Sequence, residues 1–242
     1  MLGQSRYAHD IIGTLSPVSP VIVHADLVRC AKEYLTVKKK KDVSGIGYPR
    51  YQRDGLIFEI ISWIAVSQEA SKRRFLKDPH LRSTMQGLDG LMIELAEDDA
   101  IMNKATFSED KCVSNPKKTF SQKVLPAFLE LQSNKRANEI VASATDLISR
   151  AGFDSKAATE AAAKILDKEL HVYRSTFAVP VSELDEKKHK HTFKKYGNLK
   201  NLEKHQRNGA QFLINADLRD WFDGFALKVI SALEGFQEAD IV

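Results

Sequence analysis

Residues 105–113 read Ala105-Thr106-Phe107-Ser108-Glu109-Asp110-Lys111-Cys112-Val113, and residues 87–95 read Gly87-Leu88-Asp89-Gly90-Leu91-Met92-Ile93-Glu94-Leu95. Both are strand-like. In the earlier stretch Asp89, Leu91, Ile93 and Leu95 fall on one face by period-two alternation. The acidic loop from Ala96 to Asp99 continues to Lys104 and joins the two, which predicts an antiparallel hairpin. In an extended chain Glu109 and Lys111 point to the same side, and the hairpin carries Asp89 next to them. Two carboxylates side by side repel each other and are normally avoided in a half-buried sheet. A hard divalent cation removes that penalty, because Mg²⁺ favours oxygen ligands and bridges carboxylates to phosphate oxygens. A lysine beside such a site neutralises phosphate or orients the attacking water.

Working outward, a helix is expected from about Arg53 to Ser71. From Leu56 to Val66 nearly every residue is apolar, so burial on most sides is expected, and Glu59 is the only ionisable group in that run. A carboxylate placed there is costly unless a cation or hydrogen-bond donors meet it. An earlier helix is expected at 24–37, with Cys30 buried on it. After the hairpin, Ser114-Asn115-Pro116 opens a helix carrying Phe120, Val124, Phe128 and Leu131 on one stripe, with a bend at Pro126. Helices follow at 134–151 and 155–170, then a β-branched and aromatic strand at 171–181. The final helix, 215–236, presents Leu218, Trp221, Phe222, Phe225, Val229, Leu233 and Phe236 as a buried stripe.

Glu-x-Lys alone is a weak signal, since acid-x-Lys recurs at Asp154, Asp185 and Glu186. The ordered combination discriminates: a helix Glu, a strand Asp, a strand Glu-x-Lys and a following helix. In this combination the chain resembles the PD-(D/E)xK nuclease superfamily, across about residues 53–132. The matching pieces are Glu59 in Phe58-Glu59-Ile60, Asp89 in Gly87-Leu88-Asp89-Gly90, and Glu109-Asp110-Lys111. Leu88 stands where that pattern usually has Pro. The resemblance implies an α/β fold, with a restriction-endonuclease-like mixed sheet core flanked by helices and extra N- and C-terminal helices. It divides the chain into an N-terminal segment 1–52, a nuclease core 53–181, and a basic loop with the C-terminal helix at 182–242.

The resemblance also implies chemistry. Asp89 and Glu109 would bind Mg²⁺ or Mn²⁺, with Asp110 contributing through its carbonyl. Glu59 would accept a metal-bound water or complete a second metal site, and Lys111 would position or activate the attacking water. The implied activity is metal-dependent endonucleolytic hydrolysis of phosphodiester bonds, with DNA favoured. The nearest kin suggested are bacterial phage-defence nucleases, including the nuclease component of Hachiman-type systems, which would make a helicase a partner. The alternative is a non-catalytic α/β interaction module docking on a larger nucleic-acid-processing partner.

Charge bears on partners. The 36 Lys and Arg against 32 Asp and Glu give a net charge of only +4, so total charge does not mark a nucleic-acid binder. The basic residues are instead clustered, in Lys38 to Lys41 and between Lys187 and Arg207. Such runs fit solvated loops as well as phosphate contacts. Under the nuclease reading Lys117, Lys118, Lys187, Lys188, Lys190, Lys194 and Lys195 supply backbone contacts without sequence readout.

Other classes fall away. Cys30 and Cys112 cannot make a disulfide framework or a Cys-rich zinc module, and Cys112 lacks a His partner for thiol catalysis. His189, His191 and His205 lack an acid or Cys at ligand spacing and read as part of a basic loop. No Gly-x-x-x-x-Gly-Lys loop occurs, so ATP binding is not expected. Trp63 and Trp221 read as core residues. The first thirty residues lack the pattern of a secretory leader, and no apolar run reaches the ~20 residues of a membrane span. A cytoplasmic protein with no membrane partner is the expectation.

Overall fold

A computed structural model describes residues 24–38, 47–68, 73–80, 87–96 and 101–235. The segment 1–22, Lys39 to Lys41, most of the acidic loop and Phe236 lie outside the described residues. In chain order the main elements are α1 (His24–Leu35), α2 (Arg50–Gln68), β1 (Arg74–Leu76), β2 (Gly90–Leu95), β3 (Met102–Cys112), α3 (Pro116–Thr119), α4 (Leu125–Gln132), α5 (Ala137–Arg150), α6 (Ser155–Ala163), β4 (His171–Pro180), α7 (Glu186–Phe193), β5 (Arg207–Ile214) and α8 (Leu218–Gly235). They form two compact units that divide within α2, between Ile57 and Phe58.

The larger unit is α/β, a five-stranded mixed sheet in the order β1-β2-β3-β4-β5, flanked by helices. β1–β2 and β2–β3 pair antiparallel, whereas β3–β4 and β4–β5 pair parallel. Parallel neighbours need long crossovers. Helices α3 to α6 supply the first and α7 the second. The β2–β3 hairpin has the expected alternation: Leu91, Ile93 and Leu95 are buried, and Glu94 faces away. Arg74 on one side (3.0 Å) and Lys104 on the other (2.6 Å) neutralise Glu94, so cross-strand charge stabilises the more polar face.

One sheet face packs on α4, α5 and α6 through Phe107, Tyr173, Phe128, Leu131, Ile140 and Ala144. The Phe128 and Tyr173 rings are tilted 5.2 Å apart, a contact that adds to the ~1.5–3 kcal/mol of burying each large side chain. On the other face the part of α2 from Phe58 onward covers the sheet, with Phe58 against Phe212 and Ser62 against Arg174.

Several expectations are corrected. The chain at Pro126 does not simply bend. A π turn at Phe120–Val124 precedes it, with the Leu125 N–H reaching back to the Phe120 carbonyl. That wider turn has already left the i→i−4 pattern at the point where Pro126 has no N–H to donate. The helix expected to Leu170 stops at Ala163 and continues as two 3₁₀ turns, the second capped by Asp167. The apolar run of α2 is less buried than expected, with Ile64 46% exposed, and Cys30 is exposed. Trp63 and Trp221 are only half-buried.

The basic stretch 183–209, read as loop with short helical pieces, holds the helix α7 and two 3₁₀ turns and then enters an unexpected strand. Asp185 caps α7 by accepting from the Lys188 N–H (2.7 Å), and His189 packs on Phe193. β5 follows, although Asn208-Gly209-Ala210-Gln211 has little strand propensity. Gly209 explains its placement: a Cβ there would stand 2.6 Å from the Phe193 ring, so only glycine lets that ring lie on the strand.

The smaller unit gathers α1, the start of α2 and α8. Its apolar contacts come from Ala31, Leu35, Leu56, Leu218, Phe222 and Leu233. Asp54, fully buried, accepts from Arg53 (2.8 Å) and Arg219 (2.5 Å), and Arg53 also bonds Asp223. A buried carboxylate is tolerated because two guanidinium groups replace its water.

Candidate active site

Asp89 is set by a turn that other elements hold rigidly. Gly87 has φ +143°, a conformation other residues adopt only with strain. Past it, the Leu88 carbonyl accepts from Lys77 Nζ (2.9 Å), and the Leu88 N–H donates to Glu139 Oε1 (3.2 Å). Glu139 is fixed in turn by a two-bond contact with Arg136 at 2.7 and 2.6 Å. The hydrogen bonds from Arg136, with its charge, hold the Glu139 carboxyl below the usual carboxylate range. Gly90 then starts β2 opposite Ser108, which brings Asp89 level with Glu109.

At that level Lys111 Nζ donates to Asp89 Oδ2 and lies 2.9 Å from Glu109 Oε2. Glu109 is deeply buried. Burial first, and the neighbouring Asp89 charge second, push its carboxyl up to about 7 against the pull of Lys111. Burial disfavours the Lys111 charge, yet Glu109 and Asp89 outweigh it and hold the amine protonated well above the ordinary lysine value. The two acids and the amine form one electrostatic unit.

A second group meets Asp89 from α2. Glu59 Oε1 accepts from the His80 backbone N–H (2.7 Å) and lies 3.0 Å from His80 Nδ1. The side-chain hydrogen bond to Glu59 is the main reason the His80 pKa is raised, against the effect of burial. One donor atom each from Glu59, His80 and Asp89 lie within 4.8 Å of one another. Opposite ligands of a small divalent cation stand about 4.2 Å apart, near that spacing. The donor chemistry fits, with carboxylate oxygens and one imidazole.

Asp110 points to the opposite side, as alternation expects. Its carboxylate pairs with Arg174 (2.9 Å), which also donates to Ser62 Oγ (2.8 Å). Glu59, Asp89, Ser108, Asp110 and Arg174 line a cavity of about 30 Å³, room for about one water.

The lysines expected to contact nucleic acid lie elsewhere on the same unit. Lys117 and Lys118 are exposed at the start of α3, where Asn115 Oδ1 accepts from the Lys118 N–H (3.0 Å). The Phe120 ring meets Phe193 of α7 at 5.3 Å, so this turn adjoins the basic helix. On and after α7, Lys187, Lys188, Lys190, Lys194 and Lys195 are all exposed. Lys188 pairs with Glu183 (2.7 Å) and Lys190 with Glu186 (2.5 Å), which lowers the charge this helix offers a phosphate.

Sequence reasoning brought Glu59, Asp89, Glu109 and Lys111 into view; the fold joins Asp89 and Glu109 through Lys111 and sets Glu59 within 4.8 Å of Asp89. It did not find His80, Arg174 or the Lys77 and Glu139 supports. His80 follows Asp78-Pro79 in a stretch without periodicity, and Arg174 is one polar position of an alternating strand.

The fold and site define a mixed-sheet α/β protein with a buried acid–amine cluster at adjoining strand ends. No family model matches the chain, and no curated protein or solved structure matches it either. Among the described residues no helix is long and apolar enough to cross a membrane.

Proposed function

We propose that the chain is a metal-dependent nuclease of the PD-(D/E)xK type, with a restriction-endonuclease-like core, hydrolysing phosphodiester bonds with DNA favoured. The observation that carries this reading is the contact of Lys111 Nζ with both Asp89 and Glu109, beside the Glu59 and His80 group. A surplus of buried acid around one lysine suits a centre that gains a cation during its work.

Asp89 and Glu109 would hold Mg²⁺ or Mn²⁺. When bound, the ion supplies charge stabilisation for phosphate and acidifies water. Lys111 remains protonated and offsets charge on the phosphate while hydrogen-bonding the attacking water. Asp89 and Glu109 hold the amine in place for this. Lys117, Lys118 and the exposed lysines of α7 add backbone affinity without base readout. A role in bacterial phage defence and a helicase partner are supported by the sequence resemblance alone.

The test is cleavage of labelled DNA with Mg²⁺ by the wild type, Lys111→Ala and Glu109→Ala. Both substitutions should abolish cleavage while circular dichroism shows the fold retained. Cleavage retained in both would reject the assignment.

A further inference from the structure

His80 carries an unexplained atom. Its side chain is 8% exposed, and among the described residues Nε2 is a buried nitrogen with no hydrogen-bond partner. Leaving such an atom unpaired costs about 1–3 kcal/mol, so a partner is expected for it. The other ring nitrogen, Nδ1, is occupied by Glu59 Oε1, and the same oxygen takes the His80 backbone N–H. Ring orientation and tautomer are thereby fixed. Nδ1 donates to the carboxylate, and in the neutral ring Nε2 holds a lone pair that faces Gly87, where a Cβ would stand 3.5 Å from it and 4.0 Å from Lys77 Nζ. A carboxylate on one nitrogen and an open lone pair on the other is how histidine is prepared for a metal.

We propose that His80 Nε2 is a ligand of the divalent cation together with Asp89, that Glu59 is a positioning residue acting through His80, and that the centre prefers Mn²⁺ to Mg²⁺. This rests on reading the Asp89 cluster as a cation centre. Glu59 Oε1 is committed to Nδ1 and to the His80 backbone N–H, so Glu59 acts on the ring and the imidazole takes the ligand position beside Asp89. Imidazole nitrogen suits transition ions, whereas Mg²⁺ selects oxygen and keeps its waters.

The experiment is pulsed electron paramagnetic resonance of the Mn²⁺-loaded full chain, unlabelled and with ¹⁵N-histidine, beside Mn²⁺ and Mg²⁺ titration calorimetry. The wild type should show ¹⁴N modulation that changes to the ¹⁵N pattern on labelling. Because the chain has seven His, His80→Gln and His80→Asn make the assignment. Both should lose the modulation and bind Mn²⁺ at least tenfold more weakly, with Mg²⁺ affinity changing less than about threefold. Glu59→Gln should keep the modulation with weaker Mn²⁺ binding. Mn²⁺ bound without histidine coupling, or coupling intact in folded His80 variants, overturns the inference and leaves the cation-centre reading standing. Mn²⁺ that fails to bind the wild type, or binds Asp89→Asn equally well, overturns both.

Discussion

Lys111 Nζ donates to Asp89 across the opening between the end of β3 and the turn before β2, and so occupies a place where two carboxylates favour positive charge. The amine therefore competes with a cation for Asp89 before any substrate arrives. Lys111→Met keeps the stem and removes the competitor. Mn²⁺ affinity should rise about tenfold, about 1.4 kcal/mol, while cleavage is lost. Calorimetry and a cleavage assay on the same sample check this. A weaker Mn²⁺ site in Lys111→Met would show that the lysine builds the centre.

Asp54 is the most demanding charge in the smaller unit, with no exposure and two guanidinium partners. Asp54→Ala takes one of two carboxylates from Arg53, itself buried, and one from Arg219. The cost should be about 3–5 kcal/mol, read as a lower urea midpoint at constant slope. A loss under 1 kcal/mol would mean that water replaces the carboxylate there.

Gly209→Ala drives a methyl into Phe193 and should cost about 1–3 kcal/mol. Phe193→Leu in the same chain should recover part of that loss. A double-mutant cycle measures the coupling. Additive effects would contradict the close approach of ring and strand.

The hairpin and the site were legible because strand alternation and the Asp89, Glu109 and Lys111 spacing are short-range facts. Asp89 needed only the hairpin to reach its partners. β5 was not legible: Gly209 has no strand propensity, and what places it is the Phe193 ring, known only once the chain folds. His80 was hidden for the same kind of reason. Its meaning comes from Glu59, twenty-one residues away on α2, which no local pattern encodes. The acidic and basic residues of α7 showed as charge in the sequence, but not the pairs at Lys188 and Lys190.

His171 is buried between Tyr173 and the Ile165 carbonyl, with Nε2 2.6 Å from that oxygen. The carbonyl can only accept, so Nε2 carries the proton and Nδ1 accepts from the Tyr173 hydroxyl (2.9 Å). Burial lowers the His171 pKa from 6.5. Below 6.5 the unfolded chain binds a proton that the folded chain refuses, so stability falls as pH drops; above 6.5 both states are neutral and the contribution is flat. The stability difference between wild type and His171→Gln should shrink as pH goes from about 7.5 to about 5.5. A difference independent of pH would contradict a neutral buried imidazole.

Lys117→Ala with Lys118→Ala should weaken DNA binding equally for unrelated sequences and reduce the salt slope of log K by about one per lysine. Fluorescence anisotropy across a salt series reads both. A sequence-dependent loss would assign these lysines a readout role instead.

The central claim is that Asp89, Glu109 and Lys111 form a hydrolytic centre. Its most direct test is single-turnover incubation of the full chain with end-labelled duplex DNA, single-stranded DNA and RNA, with Mg²⁺, with Mn²⁺ and with EDTA, in parallel with Glu109→Ala and Lys111→Ala. The account predicts cation-dependent cleavage of at least one substrate by the wild type and a loss of at least about a thousandfold in each variant. Wild-type rates in the variants, or no cleavage of any substrate by the wild type, would contradict it.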